Sequence, residues 1–340
     1  MKGTFHWRFL QVAALLCVLL LLPSVGTAGP QVGSLGFDEE GVRDNGGRRI
    51  LVPRGFTRII SLYGAHTENL FALGLDQEII GVSPHETYPP EALARPVFSY
   101  HDDPEKFLAA KPDLVLIRPM IDRGYARLTR RLEKSGIAVV SMQPKTVEHM
   151  YRYWTVLGAL TGKEQAAERM TTRFRRAIRQ FRMLSDSVRT KKRVYFEAMH
   201  KNMKTFSRGS MADFVLTTAG GINIADDGTP SRGTNIAIYG KERILSKAEE
   251  IDVFLAQTGA MNRPSVEMIK NEPGFSVIRA VKNNEIHIID ERIVSRPTMR
   301  LLHGIHRIGT LLYPNVYGKE WDDILTRGMS TTMDETANLK

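Results

Sequence analysis

From Arg58 onward the chain alternates short apolar runs with segments whose apolar residues return every three to four positions. Runs rich in β-branched residues at 58–62, 79–82, 112–117 and 137–142, each bounded by turn residues, predict interior strands. Helical spacing at 66–73, 104–110 and 121–135 predicts the helices between them. Such alternation implies βαβ units and a mostly parallel sheet. A second series predicts strands at 191–199, 251–256 and 285–290 and helices at 210–219, 264–271 and 297–312, and it is expected to repeat the architecture of the first. Between the two, Val147, Met150, Trp154, Leu157 and Leu160 keep helical spacing, and Thr161-Gly162-Lys163-Glu164 reads as a capping box for a further helix. In that helix Ala167, Met170, Phe174, Ala177, Ile178, Phe181 and Leu184 form one stripe while Arg173, Arg175, Arg176, Arg179 and Arg182 take the other, solvated face. At ~1.5 Å per residue it spans about 35 Å, which suits a rigid strut. Ahead of all this, Gly33 to Gly47 is rich in glycine and acidic residues and reads as a loose leader closed by a short strand at Ile50-Leu51-Val52.

The predicted fold class is therefore α/β, with two Rossmann-like lobes of mostly parallel sheet, at 29–146 and 187–326, joined by a long interdomain helical strut at 147–186. A flexible polar tail is expected at 327–340. Residues 1–28 read as an export signal: Lys2 and Arg8 are its positive start, Phe9 to Leu22 its apolar core and Gly26-Thr27-Ala28 its cleavage site. The apolar core is shorter than the roughly 20 residues that span a bilayer. Cys17, the sole cysteine, lies inside it after Leu15-Leu16, where a lipoprotein signal wants a small residue. Cleavage without lipid anchoring is thus expected, with release into the periplasm. A mature chain without cysteine excludes disulfides, thiolate metal sites and cysteine nucleophiles. The formal charge of +10 falls to +8 with the loss of Lys2 and Arg8. That balance suits nucleic acid, a membrane surface or an anionic small ligand, and nucleic acid is the weakest of these because export disfavours it.

The catalytic templates fail. The sequence has no Gly-x-Ser-x-Gly elbow, no His-Glu-x-x-His, no cysteine pair and no Gly-x-Gly-x-x-Gly after a strand. Gly158 to Lys163 is one residue short of a phosphate loop, with Glu164 where Ser or Thr is required. No enzyme is expected. What stands out is an aromatic, histidine and arginine set on predicted loop ends: Tyr63, His66, His85, Tyr88, Tyr100, His101 and Arg118 in the first lobe, His200, Tyr239 and Arg296 in the second. Singly, each is more often a surface residue. Together at the carboxyl edges of two sheets they suit a large planar anionic ligand, which needs flat apolar surface and bidentate arginines. His303 and His306 have metal-ligand spacing, but among Leu301, Leu302, Ile305 and Ile308 they read as a packed or solvated helix face.

Arg58 to Val82 condenses a buried strand, a sharp turn, a helix ended by Gly74 and a second strand, a turn that offers free backbone N–H groups to a ligand. This stretch resembles the "SPA-x-TE-x-LFALG" signature of the periplasmic binding proteins that serve iron-siderophore, haem and cobalamin ABC importers. Val82 to Pro90 looks like the "GVS…YPP" of the cobalamin-binding members, and Pro104 to Ile117 like "NLE-x-I-x-ALKPDLVI". The resemblance covers roughly residues 38 to 315 and departs at Tyr63-Gly64-Ala65, which stands where the family often keeps "SPA". It implies a monomeric protein that binds a metal chelate as transported ligand, with no cofactor of its own, and hands it to an importer permease. An interdomain helix that limits lobe closure is part of the same implication. So is one docking glutamate per lobe: Glu105, and Glu242 with Glu249 and Glu250 as rivals. Arg296 matches the arginine of a recurrent Arg-Pro motif that is either structural or caps the cleft. The other readings are an exported enzyme of metal-chelate or tetrapyrrole metabolism and a ligand-sensing domain without a transporter.

Overall fold

The computed structural model describes residues 35–38, 41–52, 54–231 and 234–318. The expected signal and tail lie outside these residues, and every statement below concerns the residues described. The first lobe is built on β4 (Ile59–Ser61), β5 (Ile79–Val82), β6 (Leu114–Ile117) and β7 (Ala138–Ser141), wholly parallel in the order β5-β4-β6-β7. Between them run α1 (Gly64–Ala72), α2 (Pro104–Ala110), α3 (Pro119–Gly124) and α4 (Ala126–Lys134). The helix expected at 121–135 is thus two, broken at Tyr125, which leaves helical geometry at φ −127°, ψ 41°.

The leader is not loose. β1 (Gly36–Asp38), β2 (Gly41–Arg43) and β3 (Arg49–Ile50) form an antiparallel sheet whose inward Val42 and Ile50 are buried. Arg48, paired with Asp44 of the same segment, fastens it to the lobe through Asp122 and Glu133. Three strands of two or three residues are too short to show a period in sequence.

The strut is α5 (Val147–Thr161) and α6 (Glu164–Asp186). The predicted apolar stripe on α6 is buried except for Leu184, which is half-buried. The capping box does not form. Thr161 is still helical, its hydroxyl donating back to Leu157 O at 2.7 Å, and Gly162 at φ +65° ends α5, so no hydroxyl is left to cap α6.

In the second lobe β8 (Arg193–Met199), β10 (Ile222–Asn223), β13 (Val253–Thr258) and β14 (Ile286–Asp290) run parallel, with α7 (Met211–Thr218), α8 (Lys241–Ser246), α9 (Val266–Lys270) and α10 (Leu301–Leu312) around them. It does not repeat the first lobe: β9 (Lys204–Phe206), β11 (Thr229–Pro230) and β12 (Ile236–Ile238) add an antiparallel wing, giving the order β11-β12-β9-β8-β13-β14. The chain doubles back after β8 because Met203 takes a left-handed conformation, φ +47°.

Alternation along the strands divides each sheet's side chains between two cores. Leu114 and Leu116 of β6, and Val194 and Phe196 of β8, face one continuous core that also takes in Trp154 and Phe174 of the strut. Val115 and Ile117 face a core private to the first lobe, Tyr195 and Phe254 one private to the second. The strut is therefore the shared centre of the molecule, and the described residues between 35 and 318 belong to one compact unit. No helix among the described residues is long and apolar enough to cross a membrane.

Candidate functional site

The carboxyl ends of β4, β5 and β6 meet the segment that follows β14 of the second lobe. Tyr63, at the turn from β4 into α1, is half-buried, and the Arg118 guanidinium at the end of β6 lies 4.5 Å from its ring centre. Burial raises the Tyr63 hydroxyl pKa while Arg118 and Arg296 pull it down, so the phenol stays protonated at neutral pH. Within Tyr63-Gly64-Ala65 the glycine has a physical reason: a Cβ on Gly64 would run into the guanidinium of Arg296. Glu86 flanks the same spot, accepting from Ser83 and, at 3.2 Å, from Thr67, and burial raises its pKa.

Arg296 also fastens the lobes. Its Nη1 donates to Glu68 Oε1 of α1 at 3.0 Å, Arg300 Nη1 stands 3.5 Å from the same oxygen, and the Glu68 side chain is 2% exposed. Asn69 Nδ2 and Trp154 Nε1 both donate to Pro297 O, at 2.9 and 3.4 Å. The Arg-Pro segment is thus clasped by the first lobe and the strut together. Burial raises the Glu68 pKa, opposed by the two arginines.

The sequence-predicted set divides. Tyr63, Arg118 and Arg296 converge at the lobe junction. Tyr88 is exposed beside it, with Arg300 at 4.7 Å over its ring, and His85 is exposed on the same loop. Tyr100 and His101 form a separate cluster with Tyr125, with ring centres 4.4 to 5.1 Å apart. His66 is withdrawn from solvent: Nδ1 lies 2.6 Å from Tyr153 Oη and Nε2 3.1 Å from Ile117 O, and burial lowers its pKa to about 3. Tyr239 is likewise buried, against Tyr195 and under Arg243. Neither ring presents a face to a ligand in this conformation; each fills a core, which no loop-end pattern in sequence distinguishes from a rim. His303 and His306 do line a shallow groove, but His306 Nε2 is 3.2 Å from Tyr317 O, so its ring ties the short helix Pro314–Tyr317 back to α10. No group of three His, Cys, Asp or Glu among the described residues is arranged to hold a metal ion.

His200 is buried too, with Nδ1 at 2.9 Å from Glu197 Oε2 and Nε2 at 3.4 Å from Glu272, which pairs in turn with Lys241. The hydrogen bond to Glu197 raises the His200 pKa. A histidine whose folded pKa lies above its unfolded value of about 6.5 stabilises fully below that value, and the contribution is lost as pH rises through the folded pKa. The stability difference between the native protein and His200→Gln should therefore be larger near pH ~6 than near pH ~8.5 by urea unfolding. A difference that is flat or grows with pH would exclude a charged His200.

Glu68, Asn69, Glu86, Tyr125 and Arg300 were not singled out by sequence reasoning. The available signal was the polar run His66-Thr67-Glu68-Asn69 at the start of an otherwise apolar helix, all four of which are buried.

Fold and junction together define a two-lobed binding architecture: two α/β lobes on a common rigid back, their strand ends meeting around arginine and tyrosine. Residues 59–293 match the family of periplasmic binding proteins, and the chain belongs to it. The vitamin B12-binding protein of Vibrio cholerae is 26% identical over 258 residues, 75% of this chain and 88% of that one. An uncharacterised ABC transporter substrate-binding lipoprotein of Bacillus subtilis is 22% identical over 90% of this chain and 97% of its own length. Among solved structures, a possible iron-binding (periplasmic solute-binding) protein of Staphylococcus epidermidis superposes with a TM-score of 0.67 at 26% identity, over 76% of this chain and 100% of that one.

Proposed function

We propose that this binding protein captures a metal chelate of the iron-siderophore, haem or corrinoid class and delivers it to an ABC importer permease without transforming it. The observation that carries the reading is the convergence of Tyr63, Arg118 and Arg296 where the strand ends of both lobes meet: an aromatic face backed by guanidinium groups suits a planar ligand with peripheral carboxylates or net negative charge. The similarity to a vitamin B12-binding protein and to a possible iron-binding protein supports the same ligand class. In this reading the metal arrives inside the chelate as cargo, the protein holds no resident cofactor and works as a periplasmic monomer, and residues 1–28 are cleaved without lipid attachment.

The test is titration of the purified mature protein with haemin, cobalamin and a ferric siderophore, followed by tryptophan fluorescence and the visible spectrum. One of the three is expected to bind and be recovered unchanged, and Arg118→Ala should weaken that binding about tenfold or more, the range for a charge-assisted hydrogen bond. Failure of all three to bind would remove the proposal.

A further inference from the structure

Beside the Tyr88 loop, with neither Tyr63 nor Arg118 in its lining, a cavity of about 610 Å³ opens where the first lobe, the strut and the second lobe meet. α1 contributes Phe71, α6 contributes Met170, and the Arg-Pro segment contributes Met299, so the lining has an apolar part drawn from all three bodies. Its polar part is cationic. Arg169 and Arg173 of α6 line it and make no ion pair among the described residues, and Arg300 joins them. The acidic residues cancel only part of this charge: Glu68 is held by Arg296 and Arg300, and with Glu91 also in the lining the three arginines still leave it net positive. Buried polar atoms at the same place lack hydrogen-bond partners, namely Arg300 Nη1 and the Glu68 Oε2 and Asn69 Oδ1 acceptors, and the Glu68 and Asn69 side chains are more than nine-tenths buried. A volume of this size is in the range of ligand pockets.

The geometry points to a second small-molecule site here, one that takes an amphipathic anion: an apolar or aromatic body against Phe71, Met170 and Met299, an acidic group met by Arg169, Arg173 and Arg300, and a hydroxyl or N–H donor reaching Asn69 and Glu68. Because the walls belong to both lobes and the strut, an occupant bridges all three. The site adjoins the proposed chelate cleft, sharing Tyr88 and the Glu68–Arg300 pair with the junction, but neither Tyr63, Arg118 nor Arg296 lines it, and a second ligand there goes beyond that function.

The probe is 8-anilinonaphthalene-1-sulfonate, set against N-phenyl-1-naphthylamine, which is the same aromatic body without the sulfonate. With full-length mature protein, the sulfonate is expected to bind saturably at one equivalent and at least tenfold more tightly than the neutral compound. The Arg169→Ala/Arg173→Ala double variant should lose that advantage, and Ala166→Phe, which puts a ring into the cavity lining, should block the site. Arg179→Ala, on the same helix but outside the cavity, should bind as the native protein does. Equal affinity for the two probes, or undiminished sulfonate binding in the double variant and in Ala166→Phe, each with native circular dichroism, would overturn the proposal. One-for-one displacement of the sulfonate by whichever chelate binds would also overturn it, by merging the two sites. The probe measurements need no chelate, so they remain decisive even if none binds.

Discussion

Glu68→Ala is expected to lower stability by about 3–5 kcal/mol, the cost of removing one partner from a buried ion pair and leaving the others uncompensated. Arg296 and Arg300 would then face each other at the lobe junction with side chains only 14% and 17% exposed. For a chain of this size the loss corresponds to a fall in Tm of roughly 10 °C, readable by thermal or urea unfolding. Two companions separate charge from packing. Glu68→Gln keeps the volume and one acceptor and should cost less than the alanine. Replacing Glu68, Arg296 and Arg300 together by Met or Leu removes every buried charge of the clasp and should recover much of the loss, since apolar substitutes of similar volume are often neutral or stabilising. A Glu68→Ala variant within about 1 kcal/mol of the native protein would mean that the clasp holds nothing.

Charge reversal at Glu105 is expected to leave chelate affinity within about twofold and to abolish uptake by whole cells, because a like charge at a docking contact costs several kcal/mol. Glu105 sits in the exposed first turn of α2, paired with Arg131 at 2.9 Å. An exposed pair of this kind contributes only ~0–1 kcal/mol, so the fold should survive its loss. In the second lobe the candidate carried forward is Glu242, exposed in the first turn of α8 as Glu105 is in α2; its rivals Glu249, paired with Lys282 at 2.7 Å, and Glu250, paired with Arg193, lie in the short turn that follows α8. Glu242→Arg should therefore reproduce the Glu105 phenotype and Glu249→Arg should not. Normal uptake in the Glu105 variant would sink the importer reading while leaving chelate binding intact.

Much of the fold could be read from periodicity, because buried parallel strands and an amphipathic strut leave long, regular signals: the strands at 79–82 and 286–290 and the helices at 104–110 and 164–186 fall where the pattern puts them. What escaped was short or tertiary. The short strands β1, β2, β9, β11 and β12 carry no period, whereas the strand expected at 50–52 overlaps β3, and the break at Tyr125 rests on one residue's backbone angles. The site was harder for a different reason. A polar residue after a strand looks the same in sequence whether it faces a ligand, as proposed for Arg118, or anchors a core, as His66 does with Tyr153; only the packing of α5 against α1 decides. Glu68 and Asn69 were hidden for the opposite reason, since their partners Arg296 and Pro297 lie 228 residues away.

The core that runs from Ile59 through Trp154 and Phe174 to Val194 has a bearing on how a bound state is announced. With both sheets seated on one apolar centre, tight packing opposes any change in the spacing of the two lobe tips. A membrane partner gripping those tips would then receive little signal from their separation. If the protein delivers cargo as proposed, the sign that it is loaded would come from the cargo's own surface, or from small rearrangements of the loops around it.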